Sequence, residues 1–95
     1  MTDKQRKKCL KILEYYGFKQ QQEMLIEECS ELILSIQKSK RYGVDISDNF
    51  LEELGDVHIM TEQMMLSLTN EKLDKLEKSI DYKLNRQILR MEGEA

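Results

Sequence analysis

Two pairs of acidic residues have a spacing that suits metal-ion chemistry. Glu28 and Glu31 form the first pair, and Glu53 and Asp56 form the second. On an α-helix, side chains three positions apart lie next to each other on one face. If both segments are helices that pack as neighbours, four carboxylates converge between them. A ligand set made only of oxygen atoms suits Mg²⁺ or Mn²⁺ rather than zinc.

The hydrophobic pattern places these acids beside the expected core rather than opposite it. Glu28 borders the apolar stripe of its helix, and Glu53 falls inside the stripe of the next helix. Surface helices usually carry their acids opposite the core, and a carboxylate that faces a core is costly unless it is protonated or meets a cation. A purely structural role would require basic partners, for which Lys38 and Arg41 are available.

Four helices are expected to position these acids. The chain has no Pro and only 4 Gly, and without these residues long helices are the default. Ser47 or Asp48 is expected to cap the third helix, and Thr69 or Asn70 the fourth. Short loops usually join antiparallel neighbours, so we predict an all-α fold, a four-helix bundle in a single domain over residues 1–95. The predicted helices span residues 3–16, 19–41, 48–68 and 70–91, with a loop at 42–47 and a frayed tail at 93–95.

The overall composition excludes several other classes of protein. A net charge of −3 argues against a nucleic-acid binder, which would carry a basic surplus. No apolar run approaches the roughly 20 residues of a membrane span, and the N-terminus has no secretory signal pattern. Cys9 and Cys29 form no CxxC pair, so we expect buried, reduced thiols in a cytoplasmic protein. A chain of 95 residues buries a limited core by itself, which favours self-association.

The two acidic clusters together resemble a known family. Residues 27–31 read EExxE and residues 53–56 read ExxD. This combination resembles the all-α nucleoside triphosphate pyrophosphohydrolases of the MazG-like superfamily, which includes the dimeric dUTPases and the dCTP pyrophosphatases. The resemblance covers roughly residues 20–86. It implies Mg²⁺-dependent hydrolysis of a nucleoside triphosphate between the α- and β-phosphates, by a homodimer or homotetramer with its sites near the subunit interface.

The resemblance also implies roles for individual residues. Glu28, Glu31, Glu53 and Asp56 correspond to the metal ligands of such enzymes. Glu27 corresponds to the acid that positions or deprotonates the attacking water. The chain departs from some members at Met24, where they carry a Lys, so a phosphate contact from that position is lost or supplied elsewhere.

Basic and amide side chains are expected to bind the substrate, because the leaving pyrophosphate needs its charge neutralised. Lys38 lies seven residues after Glu31, on nearly the same helix face, and we expect it to bind phosphate. Gln63 lies two turns beyond Asp56, where related enzymes often have an Asn that contacts the nucleotide. Further candidates for substrate binding are Arg41, Lys83 and Arg86.

Two other functions fit the sequence less well. A carboxylate-bridged di-iron bundle needs Glu-x-x-His on two helices, but Gly55 stands three residues before His58, the only histidine. A non-enzymatic oligomerisation or adaptor module would explain the helix content but not the acids beside the core. Gly55 lowers the helix propensity by about 1 kcal/mol relative to Ala, which close helix approach or room for a ligand would explain. The sequence leaves the nucleotide open.

Overall fold

The computed structural model describes residues 1–93 and contains four α-helices. Within this part of the chain there is no β-strand, so the all-α prediction is confirmed. Each helix begins and ends within two residues of its predicted position. The predicted tail lies outside the described residues, apart from Gly93. The helices are α1 (Asp3–Tyr16), α2 (Phe18–Tyr42), α3 (Asp48–Leu66) and α4 (Asn70–Met91).

Hydroxyl side chains set the starting points of the last two helices. The Ser47 hydroxyl accepts a hydrogen bond of 3.0 Å from the Phe50 N–H, so Ser47 caps α3. The Thr69 hydroxyl accepts a bond of 3.3 Å from the Lys72 N–H in the same way and caps α4. These caps satisfy N–H groups that have no partner inside the helix.

Two glycines with positive φ make the turns between the first three helices. Gly17, with φ 89°, ends α1 and is followed at once by α2. Gly43, with φ 68°, adopts the left-handed conformation that commonly ends a helix. Side chains with a Cβ rarely adopt these angles. The turn at Gly43 therefore sends the chain back along α2 as α3.

The α2–α3 hairpin is the main packing unit of the fold, and α1 packs against both of its helices. Contacts across the hairpin pair the end of α2 with the start of α3 and the start of α2 with the end of α3, which makes the two helices antiparallel. No helix among the described residues combines the length and apolar character of a membrane span. The contacts that define the register are Ser39 with Ser47, Glu28 with Glu53, and Gln21 with Gln63.

The interior of the single chain is small and unusually polar. Among the described residues only Cys9, Leu13 and Met60 are buried apolar side chains. The expectation of buried thiols holds for Cys9, whereas Cys29 is half-buried. Polar groups occupy much of the remaining interior, and buried polar groups need partners there. The buried polar residues are Gln21, Ser35, Ser39, Glu62 and Gln63.

One charged contact ties α1 to α3. The Arg6 Nε donates a hydrogen bond of 2.8 Å to Glu62 Oε1, and the Glu62 side chain is only 10% exposed. Glu62 also raises the pKa of the Cys9 thiol, although burial of that thiol is the larger cause. This ion pair therefore joins α1 to α3 from the half-exposed side chain of Arg6.

The fourth helix departs from the predicted closed bundle, because it makes no more than marginal contact with the other three helices. No residue of α4 is fully buried. The radius of gyration is 16.3 Å, against about 12 Å for a compact chain of this length. Within one chain the architecture is therefore a three-helix unit with an extended fourth helix. Most of the large apolar side chains of α4 stay exposed on the single chain, namely Ile80, Leu84, Ile88, Leu89 and Met91.

Candidate metal centre

Carboxylates from two helices meet in the middle of the α2–α3 hairpin. Glu28 projects from α2, and Glu53 and Asp56 project from one face of α3. One carboxylate oxygen from each of these three residues lies within 4.8 Å of the other two. The i, i+3 spacing on α3 and the antiparallel register of the hairpin create this arrangement.

Burial differs within each acidic pair. Glu28 and Glu53 are half-buried, whereas Glu31 and Asp56 are exposed. The sequence placed all four acids beside the core, and the structure places one acid of each pair there. Glu31 does not belong to the three-residue group, but its charge still acts on Glu28. The site is therefore a cleft with a protected side and an open side.

The electrostatics of the cluster are unfavourable without a cation. Burial raises the pKa of Glu28 above its ordinary value of 4.5, because burial disfavours the charged form. Four neighbouring negative charges raise this pKa further. The proton and a metal ion would thus compete for the same carboxylate. In order of decreasing effect, the neighbours are Asp56, Glu53, Glu31 and Glu27.

Basic side chains do not neutralise these acids within residues 1–93. Lys38 and Arg41 are exposed and form no ion pair with any acid of the cluster. The structural explanation, in which these two residues satisfy the carboxylates, therefore has no support. The ion pairs in this part of the chain are Arg6–Asp3, Arg6–Glu62, Lys75–Glu71 and Lys78–Asp74.

The donor set fits a hard divalent cation. Two oxygens bound to one Mg²⁺ lie roughly 3–4 Å apart, so small rotations of the Glu28, Glu53 and Asp56 side chains would bring their oxygens into range. Mg²⁺ usually keeps several water ligands, and the exposed side of the cleft leaves room for them. The geometry of the three carboxylates is therefore compatible with a bound divalent cation.

Gly55 lies between the two acids of α3 and is exposed. A methyl group at this position would meet no atom within 4 Å. Close approach of another helix of the same chain therefore does not explain the glycine. Room for a ligand beside Glu53 and Asp56, and the approach of a helix from a second copy, remain as explanations of the glycine.

The substrate-binding candidates are scattered over the chain. Gln63 has no exposed surface, and its side-chain oxygen accepts a hydrogen bond of 2.8 Å from Gln21. It holds α2 against α3 and offers no surface to a ligand in this conformation. Lys83 and Arg86 lie on α4, which the structure does not bring to the acids within one chain. Arg86 instead stacks its guanidinium 5.6 Å from the Tyr82 ring centroid.

Sequence reasoning missed a buried serine near the acids. Ser35 is only 2% exposed, and its hydroxyl has no hydrogen-bond partner among the described residues. It lies seven residues after Glu28, so the same helical periodicity that grouped the acids places it on their face of α2. A small polar residue on the core-facing side of α2 was the available signal.

Comparison of the chain with protein-family models, with curated proteins and with solved structures finds no match.

Proposed function

We propose that this protein is a Mg²⁺-dependent nucleoside triphosphate pyrophosphohydrolase that releases a nucleoside monophosphate and pyrophosphate. The observation that carries the proposal is the group formed by Glu28, Glu53 and Asp56, which lacks any basic partner in the described chain. Glu31 completes the ligand set from the open side of the cleft. The resemblance of EExxE and ExxD to the MazG-like pattern points to the same reaction.

In this proposal each acid has a separate task. The cation is held by four acids, Glu28, Glu31, Glu53 and Asp56. Its positive charge offsets the repulsion between these acids and the negatively charged substrate. Bound Mg²⁺, or Mn²⁺, supplies Lewis-acid stabilisation of phosphoryl oxygens and a more acidic water. Glu27 is exposed on α2 next to Glu28, and it accepts the proton of the water that attacks the α-phosphorus. The bond from the α-phosphorus to the bridging oxygen breaks, and pyrophosphate leaves.

The test is a panel of nucleoside triphosphates, including dUTP and dCTP, assayed for pyrophosphate and nucleoside monophosphate with Mg²⁺ present. We expect at least one nucleotide to yield both products in equal amounts and a chelator to stop the reaction. Release of inorganic phosphate with a nucleoside diphosphate would contradict cleavage at the α-phosphorus. An absence of turnover together with an absence of Mg²⁺ binding would remove the proposal altogether.

We also propose that the working protein is a homodimer or homotetramer. The chain exposes 7831 Å², whereas a folded chain of this mass exposes about 5,700 Å². The excess of about 2,100 Å² exceeds the roughly 800 Å² that each partner buries in a standard interface. The apolar stripe of α4 lies within an arc of about 120° and supplies a self-complementary surface. The stripe consists of Leu73, Leu76, Ile80, Leu84, Ile88 and Met91.

Assembly would also decide how the basic residues of α4 take part. Lys83 and Arg86 are not brought to the acids of their own chain, because α4 makes no more than marginal contact with its own helices. We propose that they reach the cleft of a second copy, where they neutralise the substrate phosphates. Lys38 and Arg41 lie on α2 and serve the cleft of their own chain.

The second candidate function is a non-enzymatic oligomerisation module. The observation that favours it is the exposure of four members of the α4 stripe, Ile80, Leu84, Ile88 and Met91. The two functions predict opposite responses of thermal stability to Mg²⁺. A ligand that binds only the folded state stabilises it by about 2.7 kcal/mol at 100 times its Kd. A hydrolase should therefore gain thermal stability with Mg²⁺, and a module should not. For either function, the free Cys9 and Cys29 fit a reducing compartment such as the cytoplasm.

A further inference from the structure

A cavity opens at the loop end of the α2–α3 hairpin, about two helical turns from the acids. Its volume is about 340 Å³. The last turns of α2, the loop after Gly43 and the start of α3 form its walls. A hydrogen bond of 3.4 Å between the Ser39 and Ser47 hydroxyls joins the two sides. The lining residues are Ser35, Lys38, Ser39, Tyr42, Val44, Ser47 and Asn49.

Ser35 is the feature that distinguishes this cavity from an ordinary surface groove. The residue is 2% exposed, it lines the cavity, and its Oγ has no hydrogen-bond partner within residues 1–93. A buried hydroxyl without a partner is costly, and such groups in folded proteins call for an explanation. The Oγ atom itself has almost no exposed surface, so a small rotation of the side chain toward the cavity is needed before a ligand can accept a hydrogen bond from Ser35 and supply the missing partner.

The charge of the residues that line the cavity favours a negatively charged ligand. Lys38 is the only charged residue among those that line it, and no acid is among them. Asn49 adds an amide, and it stands in the first turn of α3, where backbone N–H groups favour negative charge. Asp48 also lies in that turn but does not line the cavity. In a chain with a net charge of −3, this is a locally basic pocket.

The cavity is aligned with the acidic cleft. Three of its residues lie seven positions from an acid of the cleft, which is two helical turns or about 10 Å along the axis. On both helices the cavity residue lies closer to the loop end than its acid does. It follows the acid along α2 and precedes it along α3, because the two helices are antiparallel. Cavity and cleft therefore share one face of the hairpin. The matched pairs are Ser35 with Glu28, Lys38 with Glu31, and Asn49 with Asp56.

We propose that this cavity binds the terminal phosphate of the polyphosphate chain whose reacting phosphate sits at the acidic cleft. Ser35 donates a hydrogen bond to a phosphate oxygen, and Lys38 forms an ion pair with the same group. The inference rests on the proposed function, since it assigns the direction in which the triphosphate lies. It places the leaving pyrophosphate toward the Gly43 loop and the nucleoside toward the opposite end of the hairpin.

The experiment measures the binding of pyrophosphate by calorimetry, with and without Mg²⁺, to the full chain. Ser35→Ala and Lys38→Gln should each weaken Mg²⁺-dependent binding by about tenfold. The matched controls are Ser30→Ala and Lys40→Gln, which change the same residue types at exposed positions of α2 and should leave the affinity unchanged. Unchanged affinity in Ser35→Ala would overturn the proposal.

A stability measurement separates a binding role from a structural one. Ser35→Ala removes a buried hydroxyl that has no partner, so its melting temperature should equal or exceed that of the original chain. A fall in melting temperature alongside the loss of binding would mean that Ser35 supports the fold, and would overturn the assignment. Equal binding of inorganic phosphate alone, with no need for Mg²⁺, would overturn the link to the acids.

The outcomes also distinguish this inference from the proposed hydrolysis. Pyrophosphate binding that depends on Ser35, without turnover of any nucleotide, would support phosphate binding in the cavity and contradict the proposed hydrolysis. Turnover with an unchanged KM and unchanged pyrophosphate affinity in Ser35→Ala would support the hydrolysis and contradict phosphate binding in the cavity.

Discussion

Glu28 of α2 and Glu53 of α3 hold carboxylate oxygens within 4.8 Å of each other across the antiparallel hairpin. Both side chains are half-buried, so water screens their repulsion less than at an exposed site. Asp56 adds a third negative charge to the same group. Protonation or a bound cation would relieve this repulsion, and the first predictions follow from that choice.

Glu53→Gln should abolish turnover while the fold survives. The amide has nearly the same shape as the carboxylate but lacks its charge, so we expect at least about a 100-fold fall in kcat and the loss of thermal stabilisation by Mg²⁺. Glu52→Gln is the matched control, because Glu52 is the exposed neighbour on α3. Turnover close to normal in Glu53→Gln would contradict the site.

Glu28 should make stability depend on pH in the absence of Mg²⁺. Its pKa is raised in the folded chain, so the folded state binds the proton more tightly than the unfolded state. The contribution of Glu28 to stability is therefore complete below about pH 4.5 and disappears as the pH rises through the raised pKa.

The corresponding variant is Glu28→Gln, which mimics the protonated form. Without Mg²⁺ it should melt at a higher temperature than the original chain at pH 7 and at nearly the same temperature at pH 4. Thermal melts across this pH range provide the measurement. A lower melting temperature for Glu28→Gln at pH 7 would show that an undetected cation, and not repulsion, dominates the cleft.

Gly55→Ala tests why a glycine lies between the acids of α3. Because the position is helical and a methyl group would meet no atom within 4 Å, the free energy of unfolding should rise by about 1 kcal/mol. If the glycine leaves room for a ligand, turnover or Mg²⁺-dependent binding should fall in the same variant. A gain in stability with full activity would mean that Gly55 has no role in the site.

The α4 stripe predicts the oligomeric state. Ile80→Glu combined with Leu84→Glu should weaken self-association by at least about 100-fold and shift the mass in light scattering to that of one chain, 11.3 kDa. Asn85→Glu is the control, since Asn85 lies on α4 outside the stripe. Helix content should be retained, because α4 makes no more than marginal contact with its own helices. An unchanged mass would place the interface elsewhere.

The helices could be predicted from the sequence because their causes are local. Gly17 and Gly43 mark helix ends, Ser47 and Thr69 supply caps, and the absence of Pro leaves the segments between them uninterrupted. The i, i+3 spacing also determines that Glu53 and Asp56 share a face, because helix geometry alone requires it.

Contacts between helices were decided only by the tertiary structure. Periodicity gives the direction of a side chain but not what lies opposite it, so it could not reveal that Gln63 pairs with Gln21, that Arg6 holds Glu62, or that Ser35 has no partner. Nor could it show that α4 stays apart from the other helices. An apolar stripe looks the same in sequence whether its own chain or a second copy covers it.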